Sequence, residues 1–295
     1  MIPENKKEII SKIEKSLIFE NLANGTRIDG RKFFEFRQIN IIPDPIGKAE
    51  GSSFVSLGKT KVLVGVKVSL GKPFPDTPNE GVFVVNSEFS PIASPVYELG
   101  PPSEYAIEVA RIVDRAIRSA EAIDLEKLVV IPGEIVWVIN IDIYAIDDDG
   151  NLIDASMIGA ISALFSGFLP RVEVLDEEKN KVELIKDEKR PIPIRDTPIT
   201  FTFAKIRDYL ILDPNYLEEN TMDSRLTIAI NSKNEICAIQ KGEGGGFKLE
   251  DILLAKDIVL KKANEIRQTI FDQLVKKPRG EEAWNEIRGF GDGQD

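Results

Sequence analysis

Three arginines, Arg111, Arg115 and Arg118, stand four and three residues apart. On a helix that spacing puts all three guanidinium groups on one face. Such a row repels itself unless anions lie near. Glu104 and Glu108 precede it at helical spacing and can pair with it, which makes a solvated, salt-bridged face. The same row also suits a phosphate backbone. The guanidinium fork matches phosphate, and heads set ~6 Å apart by one helical turn approach the step between phosphates on one strand. Spacing alone leaves both readings open.

Carboxylates gather in two places: Asp147, Asp148, Asp149 and Asp154, then Asp213, Glu218, Glu219 and Asp223. Such clusters can hold Mg²⁺, although turn chemistry and surface charge produce the same pattern. The run Gly242-Glu243-Gly244-Gly245-Gly246 precedes a helix, where a loop can cradle phosphate. No Gly-Lys-Ser/Thr follows, and Glu243 would repel phosphate, so the run reads as a flexible lead-in to the helix. Cys237 reads as a small core residue on a strand, with no histidine to activate it.

The chain around these residues has 295 positions, room for two domains or one large one. It contains no histidine and one cysteine. That excludes a Ser-His-Asp or Cys-His nucleophile, most zinc or haem sites, and an intrachain disulfide. Acidic residues outnumber basic ones, 49 to 38, for a net charge of -11. Generic nucleic-acid affinity needs the opposite balance, so any polyanion site must be local or shared with a partner. The N-terminus lacks a signal peptide's apolar core, and no apolar run approaches the ~18 residues of a membrane span. A cytoplasmic protein without membrane contact is expected. The abundance of Lys, Glu and Ile leans toward a heat-adapted source.

Periodicity predicts the elements that must position the chemistry. Ile9, Ile10, Ile13, Leu17 and Ile18 predict an N-terminal helix over 1–24, ended by Asn24-Gly25. A hairpin follows, Phe54–Leu57 and Thr60–Leu70 about Gly58-Lys59, then a strand Val82–Phe89. Ser103 caps a predicted helix Glu104–Glu121, with Ile107, Ala110, Val113, Ala116 and Ile117 as its apolar stripe. Strands Leu128–Ile131 and Glu134–Ile146, a turn Asp147–Asn151 and a buried helix Asp154–Phe168 come next. Pro170–Pro198 reads as a short hairpin plus loop. Four strands, Ile199–Ala204, Tyr209–Leu212, Arg225–Ile230 and Glu235–Gln240, precede a long helix Leu249–Val275. The segment 278–295 reads as a charged, flexible tail, with Trp284 either in a partner peptide or in a disordered end. Sheet followed by long helix occurs twice, ending near Glu121 and near Val275, which suggests a duplicated α+β unit.

Several short motifs run in a common order: Arg27-Ile28-Asp29-Gly30-Arg31; Gly51-Ser52-Ser53-Phe54-Val55 into Gly58-Lys59-Thr60; Gly100-Pro101-Pro102; Ala110-Arg111-Ile112-Val113-Asp114-Arg115-Ala116-Ile117-Arg118; Asp213-Pro214; and Glu218-Glu219-Asn220-Thr221-Met222-Asp223. On these residues the chain resembles the RNase PH family over about residues 20 to 275, and within it the non-catalytic ring subunits of archaeal exosomes. The resemblance implies an α+β fold of mixed sheets with packed helices, a duplicated βαβα core like domain 2 of ribosomal protein S5. Residues 25–277 would form that domain, in halves of about 25–190 and 191–277. It implies a hexameric ring in which this chain alternates with a catalytic paralogue, S1/KH-type RNA-binding cap subunits, and single-stranded RNA threaded through a channel. Active members of the family use phosphate to attack the 3′-terminal linkage of RNA and release a nucleoside diphosphate.

The chain departs from the two active-site motifs of the family. The phosphate-holding Gly-Thr-Arg-(Ser/Cys) segment falls on Asn151-Leu152-Ile153-Asp154, so an arginine has become Ile153 and a hydroxyl or thiol has become Asp154. A carboxylate there would repel phosphate. The aspartate pair six residues apart falls on Glu219 and Arg225, and an arginine can neither bind Mg²⁺ nor give up a proton near neutral pH. The resemblance therefore implies a subunit that is not itself an enzyme and holds no cofactor. Phosphate, and any Mg²⁺, would belong to the paralogue's site. Arg111 and Arg115 inherit an RNA-facing role across the subunit interface, and Arg118 either joins them or serves as a structural ion-pair residue. Two other readings stand beside this one: an active phosphorolytic exoribonuclease with a rearranged site, and a structural ring scaffold whose arginines never meet RNA.

Overall fold

The computed structural model describes residues 10–176 and 179–275. The expected tail over 278–295, with Trp284, lies outside the described residues, as do residues 1–9 of the expected N-terminal helix. Helix α1 (Lys12–Ala23) begins later than Ile9 and Ile10 suggested, because Ser11 and Glu14 form a reciprocal capping box there. Ile18 and Leu22 are buried on it, whereas Ile13 is 82% exposed. The apolar spacing therefore overstated the buried face.

The first unit contains β1 (Ile39–Pro43), β2 (Gly51–Leu57), β3 (Thr60–Gly71), β4 (Val82–Phe89), α2 (Glu104–Ser119), β5 (Val129–Ile131), β6 (Ile135–Asp147) and α3 (Leu152–Phe165). Its sheet runs β1-β2-β3-β6-β4, with β5 also on β6. Among its described strands only β4 and β6 pair in parallel, and α2 lies in the crossover between them. A hairpin of β7 (Phe168–Asp176) and β8 (Lys181–Pro191) follows. The second unit contains β9 (Ile199–Ile206), β10 (Tyr209–Leu212), α4 (Tyr216–Thr221), β11 (Ser224–Ile230), β12 (Ile236–Gly242) and α5 (Leu249–Val275). Its sheet is antiparallel throughout, in the order β10-β9-β11-β12.

Each unit thus runs strands, helix, strands, helix, the expected βαβα order. The first does not end near Glu121. It continues through β5, β6 and α3, two strands and one helix beyond the boundary that the repeat suggested. Helix α3 starts two residues before the expected Asp154, since Asn151, at φ 58°, caps it. It also ends at Phe165, and Phe168 opens β7 rather than closing the helix.

Helix α3 is buried from Leu152 to Leu164. On one side Ala155 and Ile158 meet Val55 and Val62 of the first sheet, Phe201 and Phe203 of β9, and Val259 and Ile266 of α5. On the other, Met157, Ala160 and Ile161 meet Val64, Ile139, Ile141 and the α2 residues Val113, Ala116 and Ile117. One helix therefore fills the space between both sheets. Among the described residues no helix is long and apolar enough to cross a membrane.

Candidate functional site

Helix α2 starts where Ser103 accepts a hydrogen bond from the Ala106 amide at 3.2 Å. Ala106, Val109, Ala110, Ile112, Val113, Ala116 and Ile117 form its buried face. Ile107, expected in the apolar stripe, is 48% exposed, because it lies one turn before Arg111 on the outward face. Arg111, Arg115 and Arg118 all stand on that face and are exposed.

The three arginines are held differently. Among the described residues Arg111 has no ion pair and no side-chain hydrogen bond. Arg115 Nη1 donates to Gln240 Oε1 on β12 at 2.7 Å. Arg118 pairs with Asp114 at 2.7 Å and lies 4.1 Å from the Phe83 ring centroid, so its charge is engaged within the fold. The salt-bridged-face reading fails for Arg111, since Glu108 turns away from it. The Glu108 carboxylate instead accepts from Arg225 Nη2 at 2.6 Å.

Behind α2 lies a cavity of about 400 Å³. Among the described residues Glu104, Glu108, Asp148, Glu219 and Glu243 line it, with Arg225 as the one basic side chain. Arg225 is only 3% exposed and sits between Glu108 and Glu219, the latter at 3.9 Å. Burial alone would lower its pKa; Tyr105, Glu108 and Glu219 reverse that and hold it above the ordinary arginine value. Glu219 also accepts from the Tyr105 hydroxyl at 2.9 Å and the Asn151 amide at 2.7 Å. Asp148 accepts from Tyr97 and from the Gly150 amide. Burial and the neighbouring Glu219 charge push its pKa up to about 6.

Ile153 and Asp154, the positions expected to be altered phosphate-segment residues, do not line this cavity with their side chains. Ile153 is fully buried against Val109 and Ile112 of α2. Asp154 is fully buried as well, which corrects the expectation that it meets an incoming phosphate. Its carboxylate accepts from the Thr202 amide at 2.8 Å, the Thr202 hydroxyl at 2.9 Å and Asn151 Nδ2 at 2.8 Å. Burial pushes its pKa up to about 7. The negative charge of the cavity comes from the other five carboxylates. Gly150, at φ +81°, permits the turn before Asn151, because a Cβ there would lie 2.5 Å from the Asn215 carbonyl carbon.

The two carboxylate clusters are dispersed among separate partners. Asp147 pairs with Lys61, Glu218 with Arg27, and Asp223 accepts from the Arg207 amide. Asp213 takes Arg31, Arg37 and Asn151 Nδ2. Among the described residues no three His, Cys, Asp or Glu side chains are placed to hold a metal ion. The glycine run does lead into α5, with the Gly245 amide donating to the Asp223 carbonyl at 2.8 Å. Cys237 is half-buried, and burial pushes its thiol up to about 11.

Sequence reasoning missed Gln240, Tyr97 and Tyr105, whose partners lie 51 to 125 residues away along the chain. It quoted Arg27 and Arg31 within a motif without their task. Both bind the loop after β10.

Residues 35–170 match the 3′ exoribonuclease family, domain 1, and residues 196–258 match domain 2 of that family. The exosome complex component Rrp42 of Thermococcus kodakarensis is 51% identical over 263 residues, 89% of this chain and 96% of its own length. That of Methanothermobacter thermautotrophicus is 43% identical over 262 residues, 89% and 96% of the two chains. Among solved structures, a chain of the Archaeoglobus fulgidus exosome with RNA bound to the active site superposes with a TM-score of 0.80 at 41% identity, covering 87% of this chain and 97% of that one. A chain of an archaeal exosome core gives 0.76 at 39% identity, over 88% and 96%.

Proposed function

The chain belongs to the 3′ exoribonuclease, or RNase PH, family, and from that membership we propose that it is a non-catalytic subunit of an archaeal-type exosome ring. In this reading it pairs with a catalytic paralogue in a cytoplasmic hexamer and supports phosphorolytic 3′-to-5′ degradation of RNA. It lends the paralogue's site the RNA contacts of Arg111 and Arg115. Phosphate and Mg²⁺ are used at that other site, and S1/KH-type cap subunits complete the RNA path.

One observation carries the proposal. Among the described residues the cavity behind α2 is lined by five carboxylates and one guanidinium, and that guanidinium is already shared between Glu108 and Glu219. Phosphorolysis needs inorganic phosphate seated beside the last linkage of the RNA. An anion entering this cavity meets an excess of like charge at low dielectric and finds no free cation to offset it. Outside the cavity the arrangement is reversed. Arg111 is exposed and without an ion pair among the described residues, and Arg115 beside it is held by an uncharged partner. Both forks stay open for phosphate. Arg118 contributes less, because Asp114 already engages it.

The test is reconstitution with the catalytic paralogue. The chain alone, given RNA and inorganic phosphate, is expected to release no nucleoside diphosphate, while the ring releases it. Release by the chain alone would return the active-enzyme reading. In the ring, each charge-assisted phosphate contact contributes roughly 1.5–3 kcal/mol, so Arg111→Ala with Arg115→Ala, which removes two, is expected to weaken RNA binding by at least about a hundredfold. Unchanged affinity at moderate salt in an intact ring would leave only the scaffold reading.

A further inference from the structure

The lost catalytic position and the RNA-facing helix are joined by side chains of the second unit. Arg225 on β11 reaches Glu108 on α2, and Gln240 on β12 reaches Arg115 two helical turns further along. We propose that Arg225 and Gln240 are positioning residues for the arginine pair: the second sheet grips α2 at two points and so fixes where Arg111 and Arg115 present their charge. The proposal rests on the reading that those arginines meet RNA.

The sheet register makes the double grip possible. Gln240 stands opposite Thr227 and Gly242 opposite Arg225 in the β11–β12 ladder. Side chains opposite one another share a face, and so do residues two apart on one strand. Arg225 and Gln240 therefore emerge together, on diagonal positions of adjacent strands. Gly242 has no side chain opposite Arg225, and a Cβ there would lie 2.7 Å from Arg225 Nη2. The missing side chain is what lets the guanidinium cross β12 toward α2. Arg225 is buried and bound by Glu108, Glu219 and the Tyr105 ring, so its position is fixed. The resemblance puts a catalytic carboxylate of active members at this position, and here Arg225 holds α2 from behind.

A residue that only positions an arginine carries no phosphate contact. Its loss should weaken RNA binding without changing how binding depends on salt, because no counterion release is lost. The experiment uses the reconstituted ring without phosphate, so that RNA is bound and not degraded, and a fluorescent single-stranded oligoribonucleotide titrated at several salt concentrations. Gln240→Ala and Glu108→Ala are compared with Arg115→Ala and with the Arg111→Ala, Arg115→Ala pair. Both single positioning variants replace partly exposed side chains, and the melting temperature of each ring is measured alongside.

Freeing one side chain before binding is expected to weaken RNA affinity by about threefold to tenfold for Gln240→Ala and for Glu108→Ala. The log–log salt slope should stay at the wild-type value for both, and the melting temperature should hold for Gln240→Ala, while Glu108→Ala, which leaves the buried Arg225 with Glu219 alone, should lower it in a ring that stays assembled at the assay temperature. Arg115→Ala should reduce the slope by about 0.7. If Arg115→Ala weakens binding while both positioning variants bind as tightly as wild type, the inference is overturned and the RNA contact stands. If the arginine pair variant itself binds like wild type, the proposed RNA contact fails, and this inference fails with it.

Discussion

Arg37 grips Asp213 with two parallel hydrogen bonds, Nε to Oδ2 at 2.9 Å and Nη2 to Oδ1 at 2.7 Å. The same guanidinium reaches the carbonyls of Asp149 and Gly150 at 2.8 and 2.9 Å. One side chain thereby ties the segment before β1 to the loop after β10 and to the turn before α3. Asp213 is fully buried in a left-handed backbone conformation, φ 53°.

Removing Arg37 should strand that carboxylate. Burial would raise the Asp213 pKa, but Arg37 and Arg31 hold it below the usual carboxylate range. A depressed folded pKa contributes stability above the unfolded value of 3.8, and that stability is lost as pH falls below it. Arg37→Met is expected to cost about 3–5 kcal/mol at neutral pH and to move acid unfolding to higher pH. Denaturant unfolding across pH 3 to 7 checks both, and an unshifted acid limb would contradict the account.

Asp154 should act in the opposite sense. Its folded pKa is raised to about 7 against 3.8 unfolded, so between those values the folded chain holds a proton that the unfolded chain has lost. Stability from this group falls as pH rises through that window and is level above it. Asp154→Asn resembles the protonated form and has no such dependence. The variant should match wild type near pH 4 and melt progressively higher than it toward pH 8. Parallel melting curves for the two proteins would show that Asp154 does not titrate there.

Placing an arginine at position 153, where the resemblance puts the phosphate-holding arginine of active members, should not produce catalysis. Ile153 is fully buried in an apolar cluster with Val109 and Ile112, where a guanidinium would have to be taken out of water. Ile153→Arg is expected to destabilise the chain by more than about 3 kcal/mol. Calorimetry on the variant, with an assay for nucleoside diphosphate release, tests this. A stable variant that cleaves RNA with phosphate would mean that α2 and α3 can part here.

Arg118→Ala should separate the third arginine from the other two. Arg118 is engaged by Asp114 and by the Phe83 ring, so the ring's RNA affinity should change by less than about twofold. Stability should change by no more than about 1 kcal/mol, since the ion pair is half-exposed. A loss of affinity as large as that of Arg115→Ala would place Arg118 on the RNA path as well.

The legible elements were those whose pattern is local. The hairpin about Gly58-Lys59, strand β4 and the bounds of α5 follow from alternation, turn residues and helical period. Helix α4, only six residues long, has no period to display and owes its start to the Asn215–Glu218 capping box. Within the site, spacing placed Arg111, Arg115 and Arg118 on one outward face. It could not say that Glu108 serves Arg225, 117 residues later, rather than Arg111, because helical spacing sets neighbours on one helix and not contacts across the fold. Asp154 misled for a related reason. A carboxylate at a helix start reads as exposed, and only the pairing of α3 with Thr202 of β9 shows where its charge is absorbed.

Helix α3 has no solvent-facing side chain between Leu152 and Leu164, and it packs on both sheets. Its amides consequently have no local route to deuterium. Fraying of α1 or opening of the β7–β8 hairpin would leave them protected, since neither element covers α3 from both sides. Exchange at α3 should then proceed only through opening of the whole domain, at a rate that reports global unfolding free energy. Exchange of that kind would mark the two units as one cooperative body, with α3 as its slowest clock.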